Sequence, residues 1–304
     1  MIDFLHTNLS YFLSGISVGG QYALIAIGYT MVYGILRLIN FAHGDVFMCA
    51  GLMMVYLSAS FPMYISIPLT LILTVLLGFL IERVAYRPLR NAPRMSVMIS
   101  AIGVSYLIQN AALYFTGGLA KIYPEIPLLS HTVTIWDSPT RAVTIITPFL
   151  TIILVVLLTL LIKHTKIGMA MRAVSRDFET SQLMGIKINN IISATFIIGS
   201  LLAGIGSILY FSNYSSVVPT SGSMPGLKAF VAAVFGGIGS IPGAVIGAFI
   251  IGICENIIRG GASIFGVPGT GWTTFSDAFT FALLIVILVV KPTGLFGEKS
   301  IDKV

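Results

Sequence analysis

Long apolar runs follow one another along the chain, separated by short polar stretches. Several runs approach 20 residues, the length that a helix needs to cross a hydrocarbon core of roughly 30 Å. Of the 304 residues, 56% are hydrophobic and only 9% are charged, whereas soluble domains carry about 25% charged residues. So few charges cannot cover a water-facing surface, and most of the chain is predicted to face lipid or other lipid-embedded helices.

The apolar runs are predicted as helices because they lack the alternating pattern of a membrane barrel. Lipid also offers no hydrogen-bond partner to an unpaired backbone. The predicted fold class is all-α, a polytopic membrane protein of about eight or nine segments with broken or re-entrant helices. Residues 1–304 are predicted to form a single transmembrane domain. The segments cover residues 9–33, 44–60, 65–84, 95–115, 142–162, 189–211, 227–235, 243–258 and 275–290.

Clustered lysines and arginines predict how the chain is oriented, because short loops rich in them stay on the cytoplasmic side. Such residues concentrate in two loops, 83–94 and 163–187, which two segments separate. The loops 116–141 and 212–226 contain few or none and are predicted to lie outside. Lysines near the C-terminus predict a cytoplasmic end, and counting back places the N-terminus outside.

Small and polar residues interrupt the apolar pattern at 34–45 and 236–243. Interrupted segments in both halves of a membrane protein point to a transport pathway, because broken backbone is tolerated there only inside protein or beside water. Tight loops at the cytoplasmic surface and simple kinks are the alternative interpretations. The candidate path residues are Asn40, His43, Asp45, Gly236, Gly237 and Ser240.

Several polar residues beside the spans have structural interpretations as well. Asp45 is predicted to cap the second segment, where a carboxylate favours the helix N-terminus. Gln109 and Asn110 are predicted to hydrogen-bond between helices. Glu255 and Asn256 are predicted to meet the membrane interface or a neighbouring helix.

The loop 168–186 has mixed polarity and good helix formers. Asp177 is predicted to cap a helix from Phe178 to Met184, and Gly185 to end it. A helix of about two turns is marginal alone and gains stability by docking. It suits a groove on a soluble partner, and the alternative is a connector on the membrane surface.

Several longer sequence motifs closely resemble those of the branched-chain amino acid ABC-transporter permeases of high-affinity leucine, isoleucine and valine systems. The resemblance covers nearly the whole chain and includes the loop that ends at residue 186. The motifs that show the resemblance are YALIAIGYTMVYG at 22–34, INFAHGD at 39–45, IERVAYRPLR at 81–90, ISAIG at 99–103 and GGIGSIPGA at 236–244.

The resemblance implies a transport subunit that is not an enzyme, in the inner membrane of a bacterium. Its implied partners are a homologous second permease, two cytoplasmic ATPase subunits and a periplasmic binding protein. The chain itself is expected to need no metal or cofactor, since ATP and Mg²⁺ would bind the ATPases. The residues implied to couple to the ATPases are Arg172, Arg176, Asp177, Phe178, Glu179, Leu183, Met184 and Gly185.

Other functions remain as alternatives. Permeases for urea, short-chain amides or other amino acids share the fold and similar phrases. An ion-coupled carrier would need membrane-embedded carboxylates, for which Asp45 and Glu255 are the chief candidates. A channel would need a filter ring, and an enzyme would need a motif such as HExxH, which is absent from the sequence.

Overall fold

A computed structural model describes residues 2–90, 92–135, 138–260, 272–291 and 293–297. These residues are mostly helical, with short strands in the loops. The helices are α1 (Ile2–Leu36), α2 (His43–Ser60), α3 (Met63–Ile81) continued by a π-helix (Glu82–Tyr86), α4 (Arg94–Thr116), α5 (Pro127–Ser130), α6 (Ala142–His164), α7 (Lys166–Arg176), α8 (Phe178–Leu183), α9 (Ile188–Asn213), α10 (Ser223–Gly236), α11 (Ile241–Arg259) and α12 (Trp272–Val290). The strands are β1 (Lys121–Ile122), β2 (Thr132–Ile135), β3 (Ser138–Arg141) and β4 (Ser216–Val217).

All nine predicted segments are helical, which confirms the all-α class. Within the described ranges, six helices are long and apolar enough to cross a membrane, namely α1, α3 with its π-helix, α4, α6, α9 and α11. Helix α10 has 14 residues, about 21 Å at 1.5 Å per residue, and is too short to span alone. The chain is therefore a multi-pass membrane protein, while eight or nine crossings stay a prediction.

Helix α1 lies at the centre of the assembly, with residues 23–27 fully buried. Glycines on α1 let α11 approach closely. A Cβ on Gly15 would lie 2.8 Å from Cα of Ile253, and one on Gly19 would lie 2.8 Å from Cα of Phe249. Because small residues drive close packing of membrane helices, a larger side chain at either position would push α11 away.

Helices α3, α4 and α6 lie at the periphery and expose apolar side chains. Ile72, Leu107 and Phe149 are each more than half exposed. An apolar surface on this scale is stable against lipid or another membrane subunit.

The two loops predicted to lie outside are joined in the structure. Strand β1 pairs antiparallel with β4, with Lys121 opposite Val217. Arg141 donates to the carbonyls of Ser212 and Asn213, each at 3.2 Å. Both loops therefore lie at the same end of the helices, as the charge distribution predicted.

The two basic loops meet at the other end. Arg90 follows the π-helix and donates to the side-chain oxygen of Asn189, which lies in the first turn of α9. The relative placement of the four loops agrees with the prediction, and the absolute orientation stays a prediction. The C-terminal lysines at 299 and 303 lie outside the described residues.

Candidate functional site

The first broken segment turns back along α1. Helix α1 ends at Leu36, and Arg37 has a φ of +55°, a left-handed conformation uncommon outside glycine. His43 begins α2, and its ring lies beside Gly28 of α1. Gly28 is about 12 Å from the end of α1 at 1.5 Å per residue. Residues 37–42 therefore re-enter the helix assembly, and α2 begins well within the depth of α1.

The two broken segments lie side by side. The ring centroids of Phe41 and Phe230 are 6.5 Å apart, and a Cβ on Gly44 would lie 3.2 Å from Cα of Gly226. The first broken segment therefore runs along α10. Helix α10 ends where the second broken segment begins. The two share a small cavity, whose walls are Tyr29, Tyr33, Ile39, Phe230, Ala233 and Ile238.

Asn40 is held by a residue from another helix. The hydroxyl of Tyr86, the last residue of the π-helix, donates to Oδ1 of Asn40 at 2.9 Å. Both residues are 3% exposed. This bond ties the re-entrant segment to the end of α3, in a π-helical turn of the kind often found at functional positions.

His43 is buried between helices. Its ring packs edge-on against Tyr29, with centroids 5.0 Å apart. Among the described residues, Nε2 of His43 has no hydrogen-bond partner. This ring nitrogen lies against Gly28 of α1, and leaving a buried polar atom unpaired costs about 1–3 kcal/mol. A role of His43 on a transport path stays a prediction.

Asp45 does not cap α2, so that prediction is wrong. The helix begins at His43, and no side chain caps it. The Asp45 carboxylate instead accepts hydrogen bonds from Ser105 Oγ at 2.5 Å and Gln109 Nε2 at 2.9 Å, both on α4. Its place in the first turn of α2 still lets the helix dipole stabilise its charge.

The side-chain amides of Gln109 and Asn110, both on α4, have different kinds of hydrogen-bond partner. Gln109 bridges α4 to α2 through Asp45, which confirms the predicted contact between helices. Asn110 donates to the carbonyl of Tyr106 within α4 at 2.8 Å. The interhelical prediction is therefore wrong for Asn110, whose exposed side chain returns to its own backbone.

Gly236, Gly237 and Ser240 form the turn between α10 and α11. Gly237 has a φ of +106°, which favours glycine. The Ser240 hydroxyl accepts from the backbone N–H of Gly243 at 3.3 Å and caps α11. The turn accounts for these residue types. Its location at the cytoplasmic surface and a role on a path both stay predictions.

The basic loop between α6 and α9 folds into α7 and α8. Asp177 caps α8, accepting from the backbone N–H of Thr180 at 3.1 Å and from its hydroxyl at 2.6 Å. The predicted cap is confirmed. Helix α8 ends at Leu183, one residue before the predicted end at Met184.

Gly185 ends α8 as predicted. Its φ is +82°, and its N–H bonds the carbonyl of Gln182, while the N–H of Ile186 bonds the carbonyl of Ser181. These two bonds form a Schellman motif, which requires a left-handed residue at this position.

The apolar side chains predicted on α8 differ in burial. Phe178 packs against the core, whereas Leu183 and Met184 are 87% and 79% exposed. Large apolar side chains on an otherwise polar loop indicate a docking surface. Charged side chains of the same loop are also exposed, and these are Arg172, Arg176, Asp177 and Glu179.

A buried ion cluster joins α10, α11 and α12, which the sequence analysis missed. Lys228 Nζ lies 2.6 Å from Glu255 Oε1 and 2.5 Å from Asp277 Oδ1. Arg259 lies 2.5 Å from the same Glu255 oxygen, and Tyr22 donates to the other at 3.0 Å. The prediction that Glu255 meets neighbouring helices is confirmed. Lys228 inside the apolar run 227–235 was the available signal, because a lysine there needs a buried counter-ion.

A second buried carboxylate, Glu82, was also missed as a site. It is fully buried in the π-helix and accepts from Arg90 Nη2 at 3.3 Å and Ser193 Oγ at 2.8 Å. Burial lowers the pKa of Arg90, while the charge of Glu82 raises it. Arg90 remains the cation of this pair, because guanidinium groups keep their charge in proteins.

The described residues form no group of three or more His, Cys, Asp or Glu side chains that could hold a metal ion. Cys49 and Cys254 are free and partly buried. The expectation that the chain needs no cofactor of its own stays a prediction.

The sequence is similar to that of known membrane transport proteins. Residues 11–288 match the family described as "Branched-chain amino acid transport system / permease component". The high-affinity branched-chain amino acid transport system permease protein BraD of Pseudomonas aeruginosa is 40% identical, over 97% of this chain and 98% of its own length. The corresponding permease protein LivH of Escherichia coli is 37% identical over 97% of each chain.

A solved structure of PsaBC from Streptococcus pneumoniae in complex with Fab aligns with a TM-score of 0.49. It is 12% identical and covers 94% of this chain and 92% of its own. Family membership rests on the sequence matches alone. The chain belongs to the family of branched-chain amino acid transport system permease components.

Proposed function

We propose that this chain is the membrane-spanning permease subunit of an ATP-binding cassette importer for leucine, isoleucine and valine. One observation carries the proposal: a short, doubly capped helix, α8, projects Leu183 and Met184 from a multi-pass membrane domain. Such a helix fits a groove on a soluble subunit that supplies the driving force. The names of the relatives support the substrate.

The complex would contain a homologous second permease, two cytoplasmic ATPase subunits and a periplasmic binding protein, in a bacterial inner membrane. ATP and Mg²⁺ would bind the ATPases, so this chain would perform no catalysis. The path would run between the permeases beside the re-entrant segment 37–42 and the start of α2. Its apolar walls suit aliphatic side chains, and its few polar atoms suit the charged ends of an amino acid.

Two observations argue against an ion-coupled carrier. Glu255 is held by Lys228 and Arg259, and Asp45 is held by α4. A coupling carboxylate must gain and lose its ion in each cycle, which paired groups do less readily. A permease of the same fold for urea, short-chain amides or other amino acids is the alternative.

Uptake of labelled leucine tests the function. The purified complex is placed in liposomes with ATP sealed inside and binding protein outside. We expect uptake that stops when either ATP or binding protein is omitted. Entry driven by an ion gradient without ATP would contradict the proposal. ATP-driven entry of urea or another amino acid, but not leucine, would support the importer and replace the substrate.

Gly28→Ala is expected to slow this uptake. The new Cβ would lie 2.5 Å from Cε1 and 3.2 Å from Cδ2 of the His43 ring, and such overpacking costs about 1–3 kcal/mol. The initial rate of leucine uptake measures the effect. Gly34→Ala is the control on the same helix, since its nearest neighbour lies 3.9 Å away. Equal rates for the two variants would refute the displacement of His43.

Leu183→Asp is expected to weaken the association with the ATPase subunits, because it places a charge in the proposed apolar contact. Retention of the ATPases during affinity purification of the permease measures it. Leu128→Asp is the control, since Leu128 is 76% exposed in a loop at the opposite end. Full retention by Leu183→Asp would show that α8 does not form the docking contact.

A further inference from the structure

The first turns of α9 connect the proposed docking loop to the π-helix. Helix α9 begins at Ile188, directly after α8 and its terminating turn. Asn189, Ser193 and Phe196 recur at the spacing of one helical face. All three contact the π-helix or the residues that follow it. A shift of α9 would therefore displace the π-helix first.

Glu82 is the centre of these contacts. One carboxylate oxygen accepts from Ser193 and the other from Arg90, while Arg90 also donates to Asn189. Because Glu82 is fully buried, both oxygens depend on these partners. A buried ion pair adds little net stability, so its main physical effect is to fix the geometry of α9 against α3.

Tyr86 connects α9 to the re-entrant segment. Its ring packs against Phe196 of α9, with centroids 5.1 Å apart, and its hydroxyl donates to Asn40 at 2.9 Å. Asn40 lies in the re-entrant segment, three residues before His43. Hydrogen bonds and packed rings thus join α9 to the proposed path without an exposed gap.

We propose that Glu82 and Tyr86 are positioning residues that transmit movement of α8 and α9 to the re-entrant segment. This inference rests on the proposed function, since it takes α8 as the ATPase contact. The element that responds is the re-entrant segment 37–42, which contains the left-handed Arg37. Backbone in such a conformation is held by its surroundings. Tyr86 holds this segment through Asn40, so a displacement of Tyr86 would displace the segment.

Tyr86→Phe is the sharpest test, because it removes one hydroxyl and keeps the ring on Phe196. Leucine uptake and ATP hydrolysis are measured in the same liposomes. A buried hydrogen bond contributes about 1 kcal/mol, so we expect uptake per ATP hydrolysed to fall about fivefold, with the rate of hydrolysis retained. Tyr64→Phe is the control on the same helix, since Tyr64 is 76% exposed.

Glu82→Gln provides a second, independent variant of nearly the same shape. It keeps hydrogen bonding to Ser193 and removes the charge that orients Arg90. We expect the same loss of uptake per ATP. If both residues act in one connection, the double variant should be little worse than the poorer single variant, because coupled residues are not additive.

The outcomes separate this inference from the proposed function. Wild-type complex that imports no substrate with ATP would refute the function itself. If wild type imports but Tyr86→Phe keeps wild-type uptake per ATP, the transmission is refuted alone. A parallel fall in hydrolysis and uptake, or a lowered thermal midpoint that accounts for both, would also refute it, since it would indicate a structural role only.

Discussion

A complex carrying Gly185→Val is expected to hydrolyse ATP without importing leucine. Gly185 has a φ of +82°, and valine is a genuine outlier in this conformation. A strained left-handed residue costs about 1–3 kcal/mol, which corresponds to roughly 5- to 150-fold in a conformational equilibrium. Helix α8 has six residues and cannot absorb this cost, because so short a helix is marginal by itself.

The effect would come from backbone conformation and not from a clash. No atom lies within 4 Å of a Cβ built on Gly185. The loss of the Schellman turn would change the direction in which α8 leads into α9. Uptake per ATP hydrolysed is the measurement, and Gly185→Asn should recover much of it, because asparagine tolerates the left-handed region.

Gly117→Val is the matched control. Gly117 ends α4 with a φ of +66°, and no atom lies within 4 Å of its Cβ position. It therefore imposes the same strain at the opposite end of the helices. Normal uptake per ATP by Gly185→Val, or an equal loss in Gly117→Val, would contradict a specific coupling role for α8.

The Lys228→Met variant is expected to be destabilised. Lys228 lies between Glu255 and Asp277 and is 3% exposed. Removing one partner of a fully buried ion pair costs about 3–5 kcal/mol. The cost here is expected to be smaller, because Glu255 keeps Arg259 as a partner and the unpaired Asp277 is 31% exposed. The thermal unfolding midpoint of the purified complex in detergent should fall accordingly.

A second substitution tests whether charge balance is the cause. In Lys228→Met with Asp277→Asn, Arg259 and Glu255 remain as a balanced pair. We expect the double variant to recover part of the lost midpoint. Lys163→Met, at an exposed position, should leave it unchanged. If Lys228→Met alone has the wild-type midpoint, the cluster does not stabilise the α10–α11–α12 packing.

Local patterns predicted most of the helices and their ends. Continuous apolar runs identified the segments, because lipid leaves a spanning backbone no alternative to internal hydrogen bonds. The cap at Asp177 and the left-handed Gly185 were predictable, since each depends on residues within one turn. The basic loops predicted which connections share an end of the molecule.

Contacts between distant residues were not predictable in the same way. The cap assigned to Asp45 was wrong because local helix chemistry could not reveal Ser105 and Gln109 on α4. The cluster around Lys228 was missed because its carboxylates come from α11 and α12. Each of these partners depends on how helices are placed in three dimensions.

The sequence by itself determined that the chain is a helical membrane protein of this permease family, with two interrupted segments and a short capped helix in its second basic loop. Only the tertiary structure decided that residues 37–42 return along α1, that α10 packs beside them, and that Glu82 and Tyr86 join them to α9. The reason is physical: helix formation and capping are decided within a few residues of chain. The depth of a re-entrant turn and the partner of a buried charge depend on glycine contacts and hydrogen bonds between helices far apart in sequence.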